Sequence, residues 1–197
     1  GGVAIKLAQE GLLTLVQGIE VKEQAATTAK IRILVTGANV DILVGDVFEV
    51  PNANQKFDKI FCNYPFGLQL RELGPNHEYL QTIVKKIPGI SKATSSDWLF
   101  NHLLIDSLNE GGKAIGIMTN GSTWNTMDRN LRAYFVEQGY IECLIALPAK
   151  LFASTNIPTT MIVLSRGNEK IRMINATEVC VKGRRQNLLS DENIERI

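Results

Sequence analysis

The sequence predicts an α/β protein with a largely parallel sheet. Two observations carry that expectation. Short apolar runs alternate with helical patterns in the order β-α-β-β-α-β-α-β-β. Three of those runs also end in an acid or an amide, the residues an open parallel sheet presents to a ligand beyond its strand ends.

The elements read in order as follows. "LTLVQGIEV" (13 to 21) is a strand ending near Glu20. "KEQAATTAKIRILVTG" is a helix with Ala25, Ala26, Ala29 and Ile33 on one face and Gly37 as its stop. "DILVGD" (41 to 46) is a second strand ending in Asp46, and "FDKIFCNY" a third. "SSDWLFNHLLIDSLNEGG" is a helix capped by Ser95 or Ser96, with Phe100, Leu103, Leu104 and Leu108 as its stripe and Gly111-Gly112 as its end. "KAIGIMTN" (113 to 120) is a strand, and "MDRNLRAYFVEQG" a helix with Leu131, Tyr134 and Phe135 inward. "IECLIAL" (141 to 147), "TTMIVLSR" (159 to 166) and "KIRMINA" (170 to 176) complete the strands. Residues 68 to 95 break the alternation: they are long, polar and weakly periodic, as functional insertions in compact domains often are.

Composition narrows the function classes. The chain has 197 residues, 45% hydrophobic and 21% charged, with a net charge of +1, which fits one soluble domain with a sizeable core. No apolar run reaches the ~20 residues of a membrane-spanning helix. Cys62, Cys143 and Cys180 are too few and too scattered for a disulfide framework or a four-ligand zinc site, and they fit a reducing cytoplasmic setting. The chain opens on Gly-Gly without an initiator Met, which reads as a fragment or as removal of something upstream.

The third strand end carries the most information. "FDKIFCNYPFG" (57 to 67) stops a core strand in an amide, two aromatics, a proline and a glycine. A plain turn has use for the proline or the glycine but none for exposed rings. Glu20 and Asp46, one strand apart, suit the ribose hydroxyls and the adenine amino group of an adenosine-containing cofactor. Either acid alone reads more readily as a loop or helix-start carboxylate.

Asn63-Tyr64-Pro65-Phe66 resembles the (Asn/Asp/Ser)-Pro-Pro-(Tyr/Phe) signature of S-adenosylmethionine-dependent amino-group methyltransferases. "FDKIFCNYPFG", "LNEGGKAIGIMTNG", "IECLIALPAKLFASTNIPTTMIVLSR" and "RRQNLLSDENIERI" are similar, in that order, to segments of the modification subunit of type I restriction–modification systems, a DNA adenine-N6 methyltransferase. The resemblance runs from about residue 11 to residue 197. It implies one catalytic domain over 1–197 with a Rossmann-like methyltransferase fold, a mostly parallel sheet and helices on both faces.

The same resemblance implies S-adenosyl-L-methionine as cofactor and no metal. It implies double-stranded DNA with a flipped adenine as substrate, and a specificity and a restriction subunit as partners, with no membrane. It assigns Asn63 and the Tyr64 carbonyl as acceptors for the adenine amino group, Phe66 as a stacking ring and Pro65 as a stiffener. Glu20, Asp46 and Val47 would serve the cofactor.

Two departures stand out. Tyr64 replaces the first proline, and the family's glycine-rich donor loop survives at most as Gly1-Gly2, so the first strand and the helical domain before it are expected to be missing. "VAIKLAQEG" then reads as the helix after that loop, or as a strand. Other classes remain open: a protein-glutamine or RNA methyltransferase with the same four-residue site, or a non-catalytic DNA-binding or assembly module. Trp98 and Trp124 read as core or rim aromatics, with Trp124 able to line the site mouth, and His77 and His102 read as structural or exposed. The basic cluster of Lys182, Arg184 and Arg185 suits phosphate or a solvated turn equally.

Overall fold

Among the described residues, seven strands and six α-helices form where the chain's apolar pattern changes period between two and 3.6. The structure is a computed structural model that describes residues 2–10, 16–49, 55–68, 70, 78–90, 94–152 and 155–197. It comprises two compact units, Gly1–Ala53 and Asn54–Ile197.

In the first unit, helix α1 (Gly2–Gln9) precedes strand β1 (Val16–Glu20), helix α2 (Glu23–Thr36) and strand β2 (Val40–Val44). Residues 13 to 15 of the expected first strand lie outside the described residues. The two strands pair in parallel, Val16 opposite Val40 through Glu20 opposite Val44. Ala26 and Ala29 of α2 pack with Ile42, and Ile33 and Val40 close the cluster. Ala25 was expected on that face and is exposed instead, because the face is centred one residue further along the helix. Gly18 lets the cluster close: a Cβ there would sit 2.6 Å from Ile42 Cδ1. Gly37 ends α2 in the left-handed conformation at φ 64°, as expected of a helix-stop glycine.

The second unit holds a five-stranded sheet in the order β3-β4-β6-β5-β7. Its strands are β3 (Phe57–Asn63), β4 (Leu108–Thr119), β5 (Ile141–Ala146), β6 (Thr159–Leu164) and β7 (Arg172–Asn175). Four strands run one way, and β6 runs against both its neighbours. Ile162 and Leu164 of this central strand are fully buried. Residues 68–95 hold helix α3 (Glu78–Lys86), whose Ile83 is buried; positions 69, 71–77 and 91–93, His77 among them, lie outside the described residues. Helix α5 (Arg129–Glu137) buries Leu131 and Phe135, with Tyr134 half-buried, and a short helix α6 (Asp191–Arg196) begins with a Ser190–Asn193 capping box.

Helix α4 (Ser96–Asp106) is buried nearly all round and is capped by Ser95, whose Oγ accepts from the Asp97 amide at 3.1 Å. It ends at Asp106, not at Gly111-Gly112, and Leu108 opens β4 instead of closing a helical stripe. The physical reason is twofold. The guanidinium of Arg166, beyond β6, donates to the carbonyl of Ile105 in the last turn and to those of Leu108 and Asn109 just after it, and so satisfies a helix-end acceptor without a glycine. The two glycines form a bulge in β4, where pairing jumps from Phe57 opposite Leu108 to Lys59 opposite Lys113. Gly111 sits at φ 73°, and a Cβ on Gly112 would meet the carbonyls of Phe57, Asn109 and Asp58 at 3.0 to 3.2 Å.

Trp98 is a core residue, its Nε1 donating to the Ser122 carbonyl at 3.0 Å, whereas Trp124 is 71% exposed. His102 is buried, with Nδ1 3.0 Å from Asp106 and 2.9 Å from the Tyr79 hydroxyl. Among the described residues, no helix is long and apolar enough to cross a membrane, and no three His, Cys, Asp or Glu residues cluster as a metal site.

Phe135 joins this core edge-on to Trp98 at 5.0 Å and to Tyr140 at 5.7 Å. Phe135→Ala should therefore cost about 3–5 kcal/mol, through lost transfer energy and the cavity left behind. Urea unfolding followed by the fluorescence of the buried Trp98 would show it as a lower midpoint.

Candidate active site

Strand β3 delivers its last side chains to two different places. Asn63, opposite Ile117 on β4, is exposed, and among the described residues its side chain makes no hydrogen bond. Tyr64, next along, is buried at 3% exposure. Its ring was expected to stand exposed beside that of Phe66. Instead it stacks on Phe100 of α4 at 4.9 Å and 6°, and its hydroxyl donates to Asn101 Oδ1 at 2.9 Å. Burial, and after it the charge of Asp97, holds the Tyr64 phenol well above its ordinary pKa, so it remains a donor.

Pro65 is exposed, Phe66 is half-buried, and Gly67 turns the chain at φ 75°, a conformation that favours glycine. Beyond the turn the backbone returns to the start of α4. Ser96 N–H donates to Leu68 O at 2.9 Å, and Leu70 N–H to Thr94 O at 3.0 Å.

Phe66 meets Phe152 edge-on at 5.4 Å and 67°. Sequence reasoning singled out Phe66 alone, although Phe152 lies in the "LPAKLF" run it quoted. The two residues are far apart in the chain, and no local pattern couples them. The loop carrying Phe152 is held from a distance too. Asn187 Nδ2 donates to Ala149 O, Asn187 N to Lys150 O and Gln186 Nε2 to Leu151 O, all at 2.7 to 2.9 Å. These bonds support Lys150 at φ 58°, the one non-glycine residue in the left-handed region among the described residues. The neighbouring basic side chains Lys182, Arg184 and Arg185 stand exposed.

Beside the turn lies a cavity of about 300 Å³, between Gly67 and Leu68 on one side and Thr119, Ser122, Asn125 and Met127 on the other. Its wall is organised by Asp97, a fully buried acid absent from the sequence reading. Asp97 Oδ2 accepts from the Thr119 amide at 2.9 Å, the Thr119 hydroxyl at 2.8 Å and the Ser122 hydroxyl at 2.7 Å. A negative charge buried with three donors is far less costly than one buried alone.

In the first unit, Glu20 closes β1 and Asp46 lies two residues beyond the end of the parallel β2, and Gly45 N–H donates to Glu20 O at 3.1 Å. Each acid spends one oxygen on nearby backbone: Glu20 Oε1 accepts from Lys22 N and Asp46 Oδ1 from Phe48 N, both at 2.9 Å. Among the described residues the second oxygen of each makes no hydrogen bond, which leaves an acceptor at both strand ends. Those two acceptors fit the hydroxyl and amino donors of an adenosine. Val47 follows, half-buried; Gly2 is the first residue of α1, and Gly1 lies outside the described residues.

Burial pushes the Cys62 thiol, one residue before Asn63, up to about 11 from an ordinary 9.0. A raised pKa keeps the thiol neutral and unreactive across the usual working range. Alkylation of Cys62 by iodoacetamide should keep rising about tenfold per pH unit past 9 and level off only near about 11. Peptide mass spectrometry across pH 7.5 to about 11 reads it, and a plateau near 9.0 would contradict the burial argument.

The family model described as N-6 DNA Methylase matches residues 5–197. The chain is 27% identical over 204 residues to the type I restriction enzyme MjaVIII methylase subunit of Methanocaldococcus jannaschii, covering 91% of this chain and 34% of that protein. It thus spans about a third of the length of that relative. Among solved structures, the type I restriction-modification methyltransferase subunit of Streptococcus thermophilus superposes with a TM-score of 0.79 at 21% identity, over 92% of this chain and 41% of that one. The EcoKI M protein superposes at 0.66 and 15% identity, over 91% and 39%. The fold is the methyltransferase-like α/β fold expected from the sequence, its sheet mixed but mostly parallel.

Proposed function

The chain belongs to the N-6 DNA methylase family, and from that premise we propose that it is the methyl-transfer core of a type I restriction–modification methylase, acting on the exocyclic amino group of adenine in DNA. The observation that carries this reading is the split at the end of β3. Asn63 presents a side-chain amide with no partner among the described residues, while its neighbour Tyr64 is fixed in the core.

The chemistry follows from what an adenine amino group lacks. Its lone pair is delocalised into the ring, so it is a poor nucleophile. Asn63 Oδ1 accepts one amino N–H and the Tyr64 carbonyl accepts the other. Two acceptors favour a tetrahedral nitrogen and stabilise the positive charge that grows on it. When bound, S-adenosyl-L-methionine would supply an electrophilic methyl group on a sulfonium sulfur, which becomes a neutral thioether once the methyl is transferred. The methylated nitrogen then sheds one proton to water. Glu20 and Asp46 offer their unspent oxygens to ribose hydroxyls and the adenine amino group of that donor, with Val47 against its ring. Phe66, braced edge-on by Phe152, offers a face to a base flipped from the duplex. Its relatives are methylase subunits of type I restriction enzymes, which supports a specificity and a restriction subunit as partners and a cytoplasmic setting.

Full-length protein, with its specificity subunit, should transfer tritium from labelled S-adenosylmethionine to N6 of adenine in unmethylated DNA. Asn63→Ala should lower that rate by at least about 10²-fold while the calorimetric Kd for the donor stays within about twofold, since Asn63 serves the acceptor alone. Label in a protein or an RNA but not in DNA would overturn the choice of substrate. Absence of donor binding would leave a non-catalytic module.

Phe66→Ala should remove a stacking contact of about 1–3 kcal/mol. Fluorescence of 2-aminopurine at the target base would then rise less on binding than with the wild type, and an unchanged signal would exclude Phe66 from the base site.

A further inference from the structure

The family signature places a proline where this chain has Tyr64, and proline fixes φ through its own ring. Tyr64 has no such constraint, yet its side chain is among the most firmly held near the site. The ring lies flat on Phe100, and the hydroxyl reaches Asn101, the next residue of the same helix. Asn101 is itself fully buried, its Nδ2 3.7 Å from Met118 Sδ on β4. The space for this pair comes from Gly116, which lies opposite Cys62 on β4. A Cβ there would sit 3.0 Å from Tyr64 Oη and 3.0 Å from Asn101 Oδ1. On the far side of the turn, the Leu68 and Leu70 backbones bond to Ser96 and Thr94 at the start of the same helix. Helix α4 therefore grips the acceptor loop at both ends.

We propose that the Tyr64 side chain is a positioning residue for methyl transfer: seated on Phe100 and Asn101 in the notch left by Gly116, it fixes the Asn63 amide and its own carbonyl, doing by tertiary packing what the signature's proline does by covalent restriction. The inference rests on the functional reading above for the reaction it serves, while the seat itself is tested without that reaction.

In single-turnover methylation, Tyr64→Ala should slow transfer by about 10²-fold, the scale of a misplacement of roughly 1 Å, and Tyr64→Phe by about tenfold. Tyr64→Pro should return the rate to within about threefold of wild type, because it restores the local restriction. The donor KM should stay within about twofold throughout, and rates are expressed per mole of folded protein so that instability alone does not register. A Tyr64→Ala rate equal to wild type, or a Tyr64→Pro protein as slow as Tyr64→Ala, overturns the proposal.

A thermal cycle decides the seat where no methyl group is transferred at all, an outcome that would refute the functional reading instead. Gly116→Ala should lower Tm in the wild-type background. It should lower Tm by measurably less beside Tyr64→Phe, where the hydroxyl it crowds is gone while Asn101 Oδ1 at 3.0 Å and Ile162 Cγ2 at 3.2 Å remain. Equal losses in both backgrounds would show that Gly116 makes no room for Tyr64 and would sink the seat.

Discussion

The carboxyl end of the second unit's sheet depends on one buried carboxylate. Asp97 lies in the first turn of α4 and draws three donors to a single oxygen: two from Thr119 at the end of β4 and one from Ser122 in the turn that follows. Ser95, the cap of the same helix, has its backbone N–H on Asp128 Oδ1 at 2.7 Å, and its hydroxyl lies 3.1 Å from that of Ser122. One anion thus fixes where α4 starts, where β4 stops and how the chain leaves the sheet. Removing it would leave three donors without their acceptor, and unmade buried hydrogen bonds cost more than made ones contribute. The cavity beside Gly67 has this network as its wall, so the shape of the site's surroundings is set by a residue that need not touch a substrate.

Much of the fold was legible because its signals are local. Each strand is a short run of Val, Ile, Leu or Phe, and α2 and α5 carry their buried residues at helical spacing. The Asn63–Phe66 motif stood out for a different reason: an amide and an aromatic around a proline do not suit a plain turn. What could not be read was set by partners distant in sequence. The helix that was extended to Gly111-Gly112 ends at Asp106 with Arg166, 60 residues later, taking up the Ile105 carbonyl of its last turn. The glycines that look like a helix stop serve a bulge against β3.

The candidate site divides along the same line. The strand ends drew attention to Asn63, Glu20 and Asp46: the first two are the last residues of β3 and β1, and Asp46 follows the end of β2 by two. The structure leaves each of them an acceptor unspent among the described residues. Phe152 and Asp97 escaped notice because their value comes from Phe66 and from Thr119 and Ser122. The Tyr64 ring was misplaced for a related reason. An aromatic at a strand end reads as exposed until the helix that covers it is known, and α4 begins 32 residues later.

The exchange of proline for tyrosine has a consequence beyond geometry. A proline restricts its loop in the unfolded chain as well as in the folded one, so its stiffness needs no neighbours. The restriction at Tyr64 exists only once α4 is packed, because Phe100 and Asn101 provide it. Those two residues sit one turn beyond Asp97 on the same helix. The acidic network and the acceptor loop therefore share a single support. In this chain the position of the Asn63 amide is a property of the folded second unit as a whole, whereas in the two-proline signature it is largely a property of the loop.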